Sequence, residues 1–190
     1  MLAKAISVVA GELNAYLKFH RQFLENRVIL SPIVEQDGRL AIREENRIVF
    51  TLTDLSEESS LKNHRSGRKA GAENNPPDLH LNAQILVSAY FSSSNYSEAL
   101  DYLSDTISFF HSKPVFNTRN TPALQIRGID KLSMELIRLD TNTKNNLWSS
   151  MGVKYLPSAM YKMKIVRFQS QKVGDKLPQL SDVPTEIHKE

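Results

Sequence analysis

Five histidines, 21 carboxylates and no cysteine set the chemistry open to this 190-residue chain. His20, His64, His80, His111 and His188 are scattered, and none stands four residues from another. A metal site needs several convergent ligands, and a zinc protease needs them at HExxH spacing. His80 falls within an alternating run, with Asn82 on the same side. Alone, it reads as a strand histidine and not as a ligand. The close acidic pairs are Glu44-Glu45, Glu57-Glu58 and Asp101/Asp105. Asp101 and Asp105 stack one helical turn apart, a spacing that suits acid–base work or a cation. Solvated charge is the simpler reading of all three. No glycine spacing gives GxGxxG or GxxxxGK[ST], and no serine stands in GxSxG. Phosphate cradles and nucleophile elbows require those turns. Zero cysteines exclude disulfide frameworks, thiolate zinc sites, iron–sulfur clusters and a cysteine nucleophile. The expectation is no catalytic residue, no metal ligand and no cofactor.

What remains is charge and contact. Lys62, Arg65, Arg68 and Lys69 put four cations into eight residues, KNHRSGRK, with no acid among them. Such a cluster can hold phosphate. It lacks aromatics for base stacking, and Glu57, Glu58, Glu73 and Asp78 offset it nearby. A loop contacting a protein partner is preferred, with a nucleic-acid-binding or adaptor module through residues 62–69 as the alternative. The whole chain carries +3, so everything outside this cluster sums to −1.

The elements around these residues follow from periodicity. Leu2, Ile6, Val9, Leu13, Tyr16 and Leu17 recur at helical steps, predicting a helix to about Leu24. Gly11 weakens that helix or permits close packing. Asn14 and Glu12 interrupt the apolar start, so it reads as a helix of the mature protein and not as a signal peptide. Strands are predicted at 27–36, with Pro32 marking an edge or bend, and at 47–55. Asp37-Gly38 marks a turn, with a weak extended run at 39–42. Residues 56–78 hold only Leu61, Ala70 and Ala72 as apolar positions and read as a long loop. LHLNAQILVSAYF, 79–91, alternates throughout except at Leu86. A second helix follows, with Tyr96, Leu100, Leu103, Ile107 and Phe110 as its stripe and Ser94 or Asn95 as its cap. Strands at 124–129 and 132–139, a short helix ended by Gly152, and a strand at 158–168 complete the pattern.

These elements predict a single α+β, or mixed α/β, domain over residues 1–168. Its sheet is largely antiparallel or mixed and carries two long helices and one short one. Residues 169–190 read as a tail or arm. There Leu177, Leu180, Val183 and Ile187 are spaced so that they can dock, for example by adding to a neighbour's sheet edge. Trp148 and Tyr155 are candidate contact anchors, although singly each is more often core. No stretch nears the ~20 apolar residues of a membrane span, and the cytoplasm is the expected compartment.

Three segments carry a family resemblance: PPDLHLNAQILVSAY (76–90), YSEALDYLSDTISFFHSKPVF (96–116) and LWSSMGVKYLPSAMYKMKIV (147–166). Taken in order and at these spacings, the chain resembles the cap, or tube-terminator, family of contractile injection systems, over roughly residues 1–168. The resemblance implies a fold like that of phage tail terminators. It also implies a non-enzymatic role: a sixfold ring, distal to the baseplate, that ends tube and sheath. The implied partners are copies of the chain, the inner tube protein, the sheath protein and a longer cap paralogue, with no nucleic acid. Lys62, Arg65, Arg68, Lys69, Leu177, Leu180, Val183 and Ile187 are the candidate partner contacts.

Overall fold

The first helix forms where the apolar steps predict it. The computed structural model, which describes residues 1–58, 79–127 and 129–167, places α1 at Leu2–Arg21. Ala5, Ile6, Val9, Ala10, Leu13 and Leu17 form its buried face. Lys18, His20 and Arg21 occupy the last turn, where cations suit the helix dipole. Gln22 then stops the helix in the left-handed conformation, φ 55°.

Six strands make one sheet: β1 (Val28–Leu30), β2 (Arg47–Glu57), β3 (Leu79–Tyr90), β4 (Val115–Asn117), β5 (Lys131–Ile137) and β6 (Ser158–Arg167). Their order is β1-β2-β3-β6-β5-β4. β1 and β2 are parallel, and every other pairing is antiparallel. α2 (Tyr96–Ser112) and α3 (Thr141–Met151) complete the mixed α+β architecture that the sequence predicts. β3 sits centrally, with Ile85 opposite Leu52 of β2 and Tyr161 of β6.

The sheet has two dry faces. α1 and α2 cover Ile48, Phe50, Ala83, Ile85, Val87 and Tyr161 on one. A smaller cluster of Ile33, Ile42, Val49, Leu86, Trp148 and Met160 fills the other, beneath α3. Leu86 breaks the alternation of its strand because this second face is also dry. Ser88, on the same face, is fully buried.

Several boundaries differ from the sequence reading, each for a physical reason. The strand predicted at 27–36 ends at Leu30, because Pro32 cannot continue a ladder. It does lie at the sheet edge. The extended run at 39–42 contributes only a bridge, Leu40 to Val34, across the Asp37-Gly38 turn. There Gly38 takes φ 82° and donates to Glu35. β2 runs two residues further than predicted, to Glu57, because β3 offers partners as far as Leu81. Residues 122–127 form a 3-10 turn and not a strand; Pro122 starts it and Leu124 plugs into the core. β4 was hidden in the sequence by its three-residue length.

α2 is also rotated relative to its predicted stripe. Its buried residues are Ala99, Tyr102, Thr106, Phe109 and Phe110, while Tyr96 and Leu100 are exposed. Thr106 reaches the interior because its hydroxyl donates to the Tyr102 carbonyl. Asn95 caps the helix through position, not through a side-chain bond; its amide donates to Asn46 instead.

Asn14 ties α1 to the sheet edge. Its Oδ1 accepts from the backbone N–H of Arg27 and of Val28, both at 2.9 Å, and its Nδ2 donates to the Val28 carbonyl at 3.0 Å. β1 is thereby held by one side chain on the flank away from β2. Replacing Asn14→Ala strands three backbone groups at about 1 kcal/mol each. A loss of roughly 2–3 kcal/mol in urea unfolding is the expected outcome. Gly11 makes the opposite case. A Cβ placed there meets nothing within 4 Å, so close packing is not its reason. Gly11→Ala is expected to stabilise the protein by about 0.5–1 kcal/mol, read as a raised thermal midpoint.

Candidate assembly surface

The described side chains offer surfaces for contact more than a cleft for catalysis. The acidic pair on α2 is divided. Asp105 Oδ2 accepts from Arg21 Nε at 2.5 Å, linking α2 to α1, while Asp101 is exposed. Glu44 pairs with Arg47, whose guanidinium holds that carboxyl below the ordinary range. Glu58 accepts from Asn82 Nδ2 at 2.9 Å. His80 is half-buried on β3, and His20 stacks on Tyr16. Among the described residues no three His, Asp or Glu side chains converge as a metal site would require. The candidate contacts Lys62, Arg65, Arg68 and Lys69, and Leu177, Leu180, Val183 and Ile187, lie outside the described residues.

An apolar groove opens at the β5 end of the sheet. β4 pairs only with Lys131–Ser133, so β5 runs on past its outer neighbour. Leu132 and Met134 are buried. Leu136 continues the same face yet is 55% exposed. A cavity of about 390 Å³ opens on one side of it, lined by Ile107, Ile137, Leu147 and Trp148. A second, of about 350 Å³, is lined by Phe110, His111, Met134 and Tyr161. Ile107 and Leu136 border both, so the two cavities share a wall.

Polar groups in these walls are few and distinctive. Trp148 Nε1 and Tyr161 Oη are buried and have no hydrogen-bond partner among the described residues. An orphaned buried donor costs about 1–3 kcal/mol. Burial pushes the Tyr161 phenol up to about 12, so it is a neutral donor at ordinary pH. Arg138 and Lys144 edge the first cavity, and among the described residues no carboxylate lines either one. α3 presents Trp148 and Lys144. Its start is set by Asp140, which accepts from Thr143 N at 3.0 Å. Tyr155 packs edge-on against Trp148 and is itself exposed. Trp148 is therefore core and Tyr155 is surface, a division the sequence could not make.

A sequence model of the Pvc16 N-terminal domain matches residues 5–181. The chain belongs to the Pvc16 N-terminal domain family. Among curated proteins none matches it. Its fold is similar to the sheath/tube terminator of an extracellular contractile injection system in the extended state, with TM-score 0.58 and 13% identity over 100% of this chain and 64% of that one. It is also similar to the tube-terminating cap of the anti-feeding prophage, with TM-score 0.52 and 16% identity over 92% of this chain and 59% of that one. At such identities the likeness establishes the fold. The chain spans less than two thirds of the length of either terminator. The resemblance carried by residues 76–90, 96–116 and 147–166 thus agrees with both comparisons. The groove around Leu136 is not legible in those segments, because Leu136 lies in none of them.

The raised Tyr161 pKa has a stability consequence. An unfolded tyrosine titrates near about 10. The stabilisation from the neutral buried phenol is complete below that pH and is lost as pH rises through about 12. Burial also raises Tyr102, so tyrosinate absorbance is expected to show two late-titrating phenols, one of which is absent in Tyr161→Phe. That variant should also hold its fold further into alkali than the parent.

Proposed function

We propose that this Pvc16 N-terminal domain protein is a structural, non-enzymatic cap of a contractile injection system. It ends the inner tube and the sheath at the end distal to the baseplate, acting as a homohexameric ring. The observation that carries this reading is the family match over residues 5–181, joined to a fold shared with two tube terminators. Its partners are then copies of itself, the inner tube protein, the sheath protein and a longer cap paralogue. Residues 1–168 act as the ring domain. Residues 62–69 and 169–190 act as arms toward partners. Assembly takes place in the cytoplasm. Among the described residues no helix is long and apolar enough to cross a membrane.

A ring requires a heterologous contact, one surface meeting a different surface on the next copy. The two ends of this sheet differ in the way such a contact needs. The β1 end is flanked by Phe19 and Leu24, which are 88% and 92% exposed. The β5 end carries the groove around Leu136. Association buries apolar surface at roughly 25 cal/mol per Å² before its entropic costs are counted.

The test is removal of this protein from the producing strain, followed by electron microscopy of the particles. Tubes and sheaths of irregular, extended length, or a collapse in particle yield, are expected. Particles of unchanged length and number would overturn the reading.

A further inference from the structure

The groove around Leu136 has a built character that a bare apolar patch lacks. It pairs apolar walls with two unpartnered buried donors, Trp148 Nε1 and Tyr161 Oη. It is edged by Arg138 and Lys144, with no carboxylate in its walls among the described residues. Such a surface fits an extended peptide with apolar side chains and negative charge. Grooves lined by aromatic side chains are a recurring means of binding proline-bearing segments.

One segment of this chain has that composition. Residues 177–187, LPQLSDVPTEI, hold Leu177, Leu180 and Val183 at three-residue spacing, with Ile187 beyond. Three residues make one turn of a polyproline II helix, so this spacing aligns them on one side. Pro178 and Pro184 favour that conformation and cannot donate to a sheet ladder. Asp182 and Glu186 are the charged residues of the segment, which therefore carries −2 against Arg138 and Lys144. We propose that residues 177–187 of one copy lie along the Leu136 groove of the adjacent copy. Leu180 and Val183 enter the two cavities, and Asp182 and Glu186 lie toward Arg138 and Lys144. The adjacent copy rests on the ring reading above.

β6 enters beside the groove at Ser158 and leaves the sheet at Arg167, opposite Leu79. The groove lies level with Met160, which pairs with Ile137. The chain thus exits seven residues away, roughly 23 Å at the strand rise. Nine residues separate Arg167 from Leu177, and fully extended they reach roughly 30 Å, enough to cover that distance. Seating on the same chain is the competing arrangement, and the doubly substituted chain below separates the two.

The absence of cysteine makes a direct test clean. Chains carrying Leu136→Cys and chains carrying Leu180→Cys are mixed at full length and oxidised. A disulfide-linked dimer containing one of each is expected as the main product. Arg138→Glu with Lys144→Glu on the groove chain should lower its yield at least fivefold. Asp182→Lys with Glu186→Lys on the other chain should restore it. No mixed dimer would overturn the proposal. So would a doubly substituted chain that links only to itself under dilution.

Trp148 is the sole tryptophan, which gives a second readout in a chain that needs no cysteine. A synthetic peptide of residues 175–189 is added to full-length protein bearing Leu180→Asp and Val183→Asp. Saturable change in tryptophan fluorescence, absent with a scrambled peptide, is expected; no change would overturn the proposal. Both measurements use purified chain. Unlinked chains alongside particles that lengthen on deletion would therefore sink this inference alone, leaving the cap reading intact.

Discussion

The fold depends on what Phe110 touches. Its ring lies 6.3 Å from Phe50 of β2, 4.9 Å from Tyr161 of β6, 6.4 Å from Phe116 of β4 and 5.1 Å from Phe109 beside it on α2. One side chain therefore joins α2 to strands from both halves of the sheet. Tilted and edge-on ring contacts add about 0.5–1.5 kcal/mol each beyond their buried area. They also dictate the rotation of α2. Turning Phe109 and Phe110 inward turns Tyr96 and Leu100 outward. The apolar exterior of α2 is a consequence of the aromatic interior.

The same packing creates the groove. Phe116 belongs to a strand of three residues that pairs only with the first half of β5. Beyond it the outer side of β5 has no strand partner among the described residues, and Ile107 of α2 borders both cavities with Leu136. The walls there are core residues that run out of cover. Tyr161 contributes its ring to Phe110 and leaves its hydroxyl without a partner among the described residues. Trp148 does the same from the opposite face. A site of this kind is a truncated core, already desolvated on most sides, and it gains from a segment that completes it.

Legibility in the sequence followed the length and regularity of each element. α1, β2, β3 and β6 were readable because each runs for ten residues or more with a consistent period or β-branched and aromatic composition. The 3-10 turn at 122–127 and β4 were not, since three to six residues carry too little pattern against their neighbours. Asn14 read as a polar interruption of an apolar start, yet it holds β1 to α1. No local signal marks a side chain whose three partners lie 13 and 14 residues away. Leu136 falls inside the strand predicted at 132–139, with nothing to set it apart. Its exposure is set by where β4 stops, which nothing within β5 records. The candidate contacts in residues 62–69 and 177–187 were legible as composition alone: a block of cations and a row of spaced apolar residues.

The sequence by itself determined the class. Alternation and helical steps dictate which residues turn from water, and that is enough to specify an α+β domain whose sheet is largely antiparallel or mixed. The ordered segments at 76–90, 96–116 and 147–166 carried the family resemblance that the comparisons then bore out. The tertiary structure alone decided which apolar residues are left over. Burial is a property of neighbours, and neighbours are assigned only when strands of unequal length and helices of fixed rotation come together. Leu132 and Leu136 are the same residue type on the same face of the same strand, one buried and one open, and the end of β4 separates them.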